Sequence, residues 1–448
     1  MWSDSGKSLH AGAAYRAALA AAALVLGACG GKQPATAYAP VGDVDGGGRP
    51  FARDAGPVPS LDAGSYDHVV RSGDNVLCGY DDAGVFELPG NAQHPGIAIA
   101  NDEQSFAMAY LGAEGALWIE AMAALGARDD AVPIVAAADA PSAAVLATSG
   151  AHVLLVWSAA GGDAGPVLYA RELSRVDHPA LELTRTLAPS AGGVSFAALG
   201  LDDAFVVAFV DGASASRALR VQRIDAAGAS GGDALSVDGV AERGPQDLHL
   251  ARLEAGRVLV GWFEQGDAGV GSVMALTLSP ELAAEGEPFV LSQLGVYAPP
   301  FDLAARRASA GVVYQARDGD VRDTVKYRRI AADGGVGEPA FNLVDAPGRA
   351  RDGSIAPFGQ GYAVAYRALP SLAVEQPSVR VAFINQFGVI VYQADLGLTS
   401  EAGGRTSVSA TADGHVLVTW TSAAPSSASV HGVQMNCPGA LVLCGGAP

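Results

Sequence analysis

Six residues between positions 297 and 351 have side chains that could bind an anionic group or a sugar. They are Tyr297, Phe301, Arg317, Arg322, Arg349 and Arg351. Guanidinium groups recognise carboxylates through paired hydrogen bonds, and aromatic rings offer flat apolar surfaces. These arginines stand out because the chain has a formal charge of −19, with 28 basic residues against 47 acidic ones. Such an acidic chain is a poor partner for nucleic acid, and we predict no nucleic-acid binding.

Other patterns that could carry chemistry are explained better by structure. Residues 318–323 carry aspartates at alternating positions, as a calcium loop does, but Arg322 places a cation where a third oxygen ligand belongs. His152 and His415 occupy the same place in two repeated segments, yet other segments have Ser, Ala, Arg or Gly there, which argues against a metal site. No nucleophile elbow, zinc-binding helix or phosphate-binding glycine loop occurs. We therefore assign no catalytic residue, metal ligand or cofactor.

The elements that must position these residues come from a repeated strand. Seven apolar, largely β-branched phrases each close on an aromatic residue: Tyr110, Trp157, Phe209, Trp262, Tyr314, Tyr366 and Trp420. Successive aromatics are 47, 52, 53, 52, 52 and 54 residues apart. A fixed period near 50 residues predicts a repeat architecture.

The content of each period predicts the kind of repeat. Each module has four short strands separated by turn residues, and a strand that is apolar at every position needs both of its faces covered. Immunoglobulin-like domains are excluded because each needs about 100 residues. We predict an all-β, seven-bladed β-propeller of four-stranded antiparallel blades, with the seven aromatics buried between blades. In the first module, Ala113–Leu125 is also compatible with a short amphipathic helix.

The fold predicts where the six candidate ligand-binding residues lie. In a propeller, the loops between second and third strands share one face with the loops between blades. The longest of these loops fall in two neighbouring modules: Gln293–Pro300, Gln315–Thr324, Asp345–Gly353 and Arg367–Pro377. They would bring the six residues to one rim. The alternative is that these are insertions tolerated in solvated loops.

The N-terminus predicts export and a membrane anchor. Lys7 and Arg16 precede the apolar run Ala17–Val25, which is too short to span a bilayer. The following Leu26-Gly27-Ala28-Cys29 resembles the lipobox of bacterial lipoproteins. That resemblance implies a signal peptide over 1–28, lipidation at Cys29 and, because glycine follows the cysteine, the outer membrane. Residues 29–70 are rich in Gly and Pro and predict a flexible tether, leaving 71–448 for the propeller.

The repeat also resembles a wider group of proteins. The pattern Leu-Val-Val-Trp, followed by a second strand and an Asp-x-x-Gly turn, is similar to that of exported bacterial β-propeller lipoproteins. The best copies are His152–Ser174, Ala204–Gly228 and His415–Met435. This resemblance covers residues 84–444 and implies fold and location, without catalytic residues.

The cysteines bear on how the ring closes. With Cys29 lipidated, three cysteines remain in an oxidising compartment. If Val85–Leu88 completes the seventh blade beside Val430–Met435, Cys78 comes close to Cys437, and we predict that disulfide. The alternative is Cys437–Cys444, with Ala440–Leu443 as the last strand.

These features favour a binding or scaffold module for a protein or glycan, held to a membrane by a lipid. Two alternatives stay open because the propeller scaffold does not specify function. One is a hydrolase, which would need two carboxylates or a nucleophile and base to converge at the central channel. The other is a structural component of the cell envelope.

Overall fold

The computed structural model describes residues 68–444 except for short segments between or within strands. These are 73–74, 90–95, 100–104, 124–127, 129–130, 151, 162–164, 174–183, 189–190, 212–217, 226–232, 238–244, 267–269, 293–295, 307–308, 319–321, 332–334, 338–339, 345–348, 370–376, 400–404 and 425–426. Cys29 and the predicted signal peptide therefore lie outside the described residues. Within them, no helix is both long enough and apolar enough to cross a bilayer.

The described residues form seven antiparallel four-stranded blades. Three strands precede the first complete blade: β1 (His68–Ser72), β2 (Asn75–Tyr80) and β3 (Val85–Pro89). Blade 1 contains β4 (Gly96–Ile99), β5 (Phe106–Leu111), β6 (Leu117–Met122) and β7 (Val132–Val135). Blade 2 contains β8 (Pro141–Ser149), β9 (His152–Ala159), β10 (Val167–Leu173) and β11 (Arg185–Ala188). Blade 3 contains β12 (Ala191–Gly200), β13 (Ala204–Asp211), β14 (Ala218–Asp225) and β15 (Leu235–Val237).

The second half of the ring repeats this order. Blade 4 contains β16 (Gln246–Arg252), β17 (Val258–Gln265), β18 (Gly271–Leu278) and β19 (Phe289–Val290). Blade 5 contains β20 (Val296–Arg306), β21 (Ser309–Asp318), β22 (Arg322–Ala331) and β23 (Phe341–Asn342). Blade 6 contains β24 (Arg349–Phe358), β25 (Gly361–Leu369), β26 (Ser378–Ile384) and β27 (Ile390–Thr399). Blade 7 contains β28 (Thr406–Ala410), β29 (His415–Ala424), β30 (Ser427–Asn436) and the early strand β3.

The first strands of the blades form a closed inner ring. Their contacts run in the order β4, β8, β12, β16, β20, β24, β28 and back to β4. These seven inner strands therefore surround a central channel. The seven-bladed fold predicted from the period of the aromatics is confirmed.

The repeated aromatics pack between neighbouring blades, as predicted. All seven are at most 7 % exposed. Trp262 joins the apolar core between blades 3 and 4, and Trp420 joins the core between blades 6 and 7. A strand with apolar side chains on both faces is stable here because each face meets a different blade.

The two ends of the chain close the ring together. Strand β3 pairs with β30, with Val85 opposite Val433 and Leu88 opposite Val430. A disulfide joins Cys78 to Cys437 across 359 residues of sequence, and Cys444 is a buried free thiol. The alternative that made Ala440–Leu443 the last strand is wrong, because Pro438–Leu443 forms the short helix α1.

Three smaller expectations need correction. Residues 117–122, within the segment compatible with a helix, form strand β6. Strand β1 starts at His68, inside the segment assigned to the tether. Most of Gln315–Thr324 is strand, because β21 and β22 pair as far as Asp318 opposite Arg322.

Candidate functional site

One register position on the inner strands divides the ring into two halves. This position lies opposite the residue that precedes the repeated aromatic. In blades 1 to 3 it holds Gly96, Val145 and Ala197. In blades 4 to 7 it holds His249, Asp302, Ser354 and Ser407. The polar side chains at this position therefore belong to blades 4 to 7. They lie near the middle of the inner strands, and further polar residues lie between them and the first residues of the same strands. We call this part of the channel, from the middle of the inner strands to their first residues, the start end.

Polar side chains at the start end also satisfy the backbone of the next blade. Leu248 N–H donates to Ser195 Oγ at 3.0 Å, and Ile355 N–H donates to Asp302 at 2.9 Å. An inner strand has no paired strand on its channel side, so its N–H groups need other acceptors. This requirement gives the side chains a structural role, whatever else they do.

Asp302 is the hub of this arrangement. Its Oδ1 lies 2.9 Å from His249 Nδ1, and its Oδ2 accepts a hydrogen bond of 2.7 Å from Ser354 Oγ. One carboxylate in blade 5 thus bridges blades 4 and 6. Burial would raise the pKa of Asp302, but the charge and hydrogen bond of His249 keep that pKa below its usual value.

Two bulges direct further acids toward the same place. The register slips between Gln246 and His249 and again between Arg351 and Ser354. Asp247 and Asp352 occupy these slips with φ angles of 50° and 56°. Bulges re-aim side chains, and aspartate tolerates the left-handed region better than most residues.

An ion pair spans the channel at this end. Arg405, which precedes β28 in blade 7, donates to Asp247 of blade 4 at 2.9 Å. These two blades are not neighbours in the ring, and Asp247 is only 8 % exposed. Burial opposes ionisation, but a hydrogen bond and charge from His249 and the charge of Arg405 hold the pKa of Asp247 far below its usual value.

His249 lies between the two aspartates. Burial alone would lower its pKa, but the charges and hydrogen bonds of Asp302 and Asp247 raise the pKa to about 9. At neutral pH, His249 is therefore an imidazolium, and both neighbouring acids are carboxylates. This triple is a fixed charge array.

A second group of arginines lies beside it. Arg349 Nη2 and Arg351 Nε, both on β24, donate to Asp323 Oδ2 on β22 at 3.1 and 2.8 Å. Arg367 on β25 donates to Asp352 at 2.5 Å. Burial raises the pKa of Asp352, although Arg367, Arg351 and Arg405 each act to lower it.

Two of the six predicted ligand-binding residues meet at this rim. Arg349 and Arg351 converge on Asp323, and both are partly exposed. Arg317 is exposed and lies opposite Asp323 in the β21–β22 hairpin. Phe301 is not at the rim: its side chain is 1 % exposed and its ring packs edge-on against His249. The side chains of Tyr297 and Arg322 lie outside what the structure describes.

Most residues of the start end were not predicted from the sequence. Asp247, His249, Asp302, Asp352, Arg367 and Arg405 are brought together only by the ring. One signal was present, since Asp247 and Asp352 each stand two residues before the shared register position, which His249 and Ser354 occupy.

The geometry has consequences for chemistry. In a serine triad, histidine lies between the serine and the acid. Here Asp302 lies between Ser354 and His249, so the histidine does not activate this serine. A protonated His249 is also a poor general base and a poor metal ligand. In the part of the chain that the structure describes, no group of three or more His, Cys, Asp or Glu side chains is arranged to hold a metal ion.

Comparisons with known proteins add similarity of architecture alone. No protein-family model matches the chain, and no curated protein matches it. Among solved structures, it is similar to a subtype N10 neuraminidase-like protein of A/little yellow-shouldered bat/Guatemala/060/2010, with 11 % identity and a TM-score of 0.40 over 65 % of this chain and 95 % of that one. It is also similar to an ulvan lyase of polysaccharide lyase family PL25, with 11 % identity and a TM-score of 0.46 over 75 % of this chain and 91 % of that one.

Proposed function

We propose that this chain is a lipid-anchored, extracytoplasmic β-propeller that binds a protein or glycan at the start end of its channel. The observation that carries the proposal is the convergence of Arg349, Arg351 and Arg405 on one end of an otherwise acidic molecule. The sequence supports the anchor through the lipobox ending at Cys29, with outer-membrane attachment and a tether over 29–70.

Binding suits these arginines because carboxylates hold their guanidinium groups in place. Arg405 is fixed by Asp247 and Arg351 by Asp323, while 41 % of each arginine side chain stays exposed. Donors that are ordered before the ligand arrives lose less conformational entropy on binding. They would donate charge-assisted hydrogen bonds to carboxylate, carbonyl or hydroxyl oxygens.

A hydrolase is the weaker candidate. The convergence of His249 with two aspartates is the one observation in its favour. However, both aspartates have lowered pKa values and the histidine has a raised one, so none of these three groups is poised as an acid or a base near neutral pH.

Binding is tested with the purified full-length protein and a defined panel of neutral oligosaccharides, uronate-containing oligosaccharides and acidic peptides. A double variant, Arg351→Ala with Arg405→Ala, is expected to weaken capture at least tenfold. The matched control is Arg257→Ala, because Arg257 pairs with Glu285 at the opposite end of β16. Equal binding by the double variant and the control would refute the site.

The anchor is tested separately. Cys29→Ala is expected to move the protein from the membrane to the soluble fraction or to leave the signal peptide uncleaved. Mass spectrometry of the wild-type N-terminus should find a diacylglyceryl group on Cys29. An unmodified cysteine with unchanged membrane association would contradict the proposal.

A further inference from the structure

Arg367 is a buried cation with unused hydrogen-bonding capacity. Its residue exposure is 5 %, and its Nη2 donates to Asp352. Its Nε and Nη1 have no hydrogen-bond partner among the described residues. Buried donors without partners are destabilising, and buried guanidinium groups with free N–H groups are found where a ligand or water completes them.

The charges around Arg367 are not balanced. Arg349, Arg351, Arg367 and Arg405 face three acids, Asp247, Asp323 and Asp352. The neighbouring pair of His249 and Asp302 is neutral as a unit. Within this set of described side chains, one positive charge therefore remains, on a chain whose total charge is −19.

Asp352 is the acid nearest to most of this positive charge. It interacts electrostatically with three arginines, Arg367, Arg351 and Arg405. Its backbone is held in the bulge because Thr406 Oγ1 donates to the Asp352 carbonyl. The acid is thus fixed beside Arg367, and it neutralises only one of the three cations around it.

We infer that Arg367, with Arg351 and Arg405, forms a subsite for a single carboxylate group of the ligand. A monoanion matches the single excess charge, and a planar carboxylate matches the flat guanidinium donors. This inference rests on the proposed binding function and names the group that the ligand presents. A free organic acid and the uronate at the end of a glycan both supply that group.

Calorimetric titration of the full-length protein with four probes tests the inference: acetate, glucuronate, glucose and inorganic phosphate. Glucuronate is expected to bind, and Arg367→Gln should weaken its binding at least tenfold. Asp352→Asn removes the competing negative charge while keeping the side-chain shape, so it should tighten binding severalfold. Arg257→Ala should leave the affinity unchanged.

The two variants separate a ligand site from a purely structural ion pair. If Arg367 and Asp352 only stabilise the fold, both variants should melt at lower temperature. The opposite changes in affinity for glucuronate should then not be seen. If Arg367→Gln does not fold, the direction of the Asp352→Asn effect decides. Acetate binding with the same pattern supports a site for any carboxylate, whereas binding of glucuronate alone supports a sugar acid.

Two results would overturn the inference. One is no glucuronate or acetate binding, and the other is binding that Asp352→Asn weakens. A third result separates the two proposals. If a neutral oligosaccharide is captured, and its capture needs Arg351 and Arg405 but is insensitive to Arg367→Gln, the carboxylate subsite is overturned. The proposed binding function would still stand.

Discussion

Strand β16 has an ion pair near each of its ends, and the two pairs are built differently. At its start, Asp247 is 8 % exposed and pairs with Arg405 across the channel. At its finish, Arg252 pairs with Asp202 of the preceding blade, and the Asp202 side chain is 83 % exposed. Water already solvates an exposed carboxylate, whereas a buried one depends on its partners. The buried ion pair is therefore expected to contribute to the stability of the start end, whereas the exposed pair at the finish end is expected to contribute little.

The largest expected effect comes from removing the hub of the start end. Asp302→Ala leaves the His249 imidazolium without its closest partner and removes the acceptor for Ser354 Oγ and for Ile355 N–H. We expect the free energy of unfolding to fall by about 3–5 kcal/mol in urea titration. Asp302→Asn, which keeps an acceptor and the same volume, should lose less. A loss for Asp302→Ala of under about 1 kcal/mol would mean that the start end does not depend on this network.

The second largest effect is expected from removing the disulfide. It links Cys78 on β2 to Cys437 at the end of blade 7, the blade that also carries Arg405. Replacing Cys78 and Cys437 by Ala together is expected to lower the free energy of unfolding by about 2–4 kcal/mol, since the cross-link closes a very long loop. The control is Cys444→Ala, which removes a buried thiol outside the disulfide. Alkylation of Cys78 in the native protein without reductant would contradict the pairing.

A pH titration should distinguish the start end from the rest of the surface. The pKa of His249 is raised from 6.5 to about 9, so below pH 6.5 the residue is protonated in both the folded and unfolded states. Between pH 6.5 and about 9, only the folded state keeps the proton, so stability should fall as the pH rises, by about 3 kcal/mol in all. His249→Gln should flatten this slope. An equal slope in the variant would assign the loss to other groups.

Asp247 and Asp302 of the same cluster act in the opposite direction. The pKa values of Asp247 and Asp302 are lowered, so their contribution is complete above the unfolded value of 3.8 and is lost as the pH falls below it. The start end should therefore be most stable between roughly pH 5 and 6.5. Unfolding midpoints measured across that window test this maximum.

The sequence predicted the ring more fully than the site. Trp262 and Trp420 occupy the same place in their modules, and each packs between two neighbouring blades. Because this packing is repeated in every module, the sequence period predicts it. The pairing of Val85–Leu88 with the last blade was predicted from the strand order of the repeat and is confirmed. By contrast, Arg405 meets Asp247 158 residues away, and this meeting follows from ring curvature and a bulge. Phe301 was misplaced because two prolines precede it, whereas β20 continues through them and carries its ring into the core.

The smallest expected effect is at the finish end. Arg252→Ala removes the hydrogen bond and charge that lower the pKa of Asp202, but that carboxylate stays in water. We expect the urea midpoint at pH 7 to be unchanged within error and insensitive to salt, because solvent and ions already screen this pair. Arg405→Ala is the matched variant, since its arginine is equally exposed but its acid is buried. It should lower the free energy of unfolding by about 1–2 kcal/mol, because Asp247 then keeps His249 and Phe301 N–H as partners but loses a guanidinium. Burial of the acid is the main difference between the two pairs. Equal midpoints for the two variants would therefore mean that burial does not distinguish the two ends of the channel.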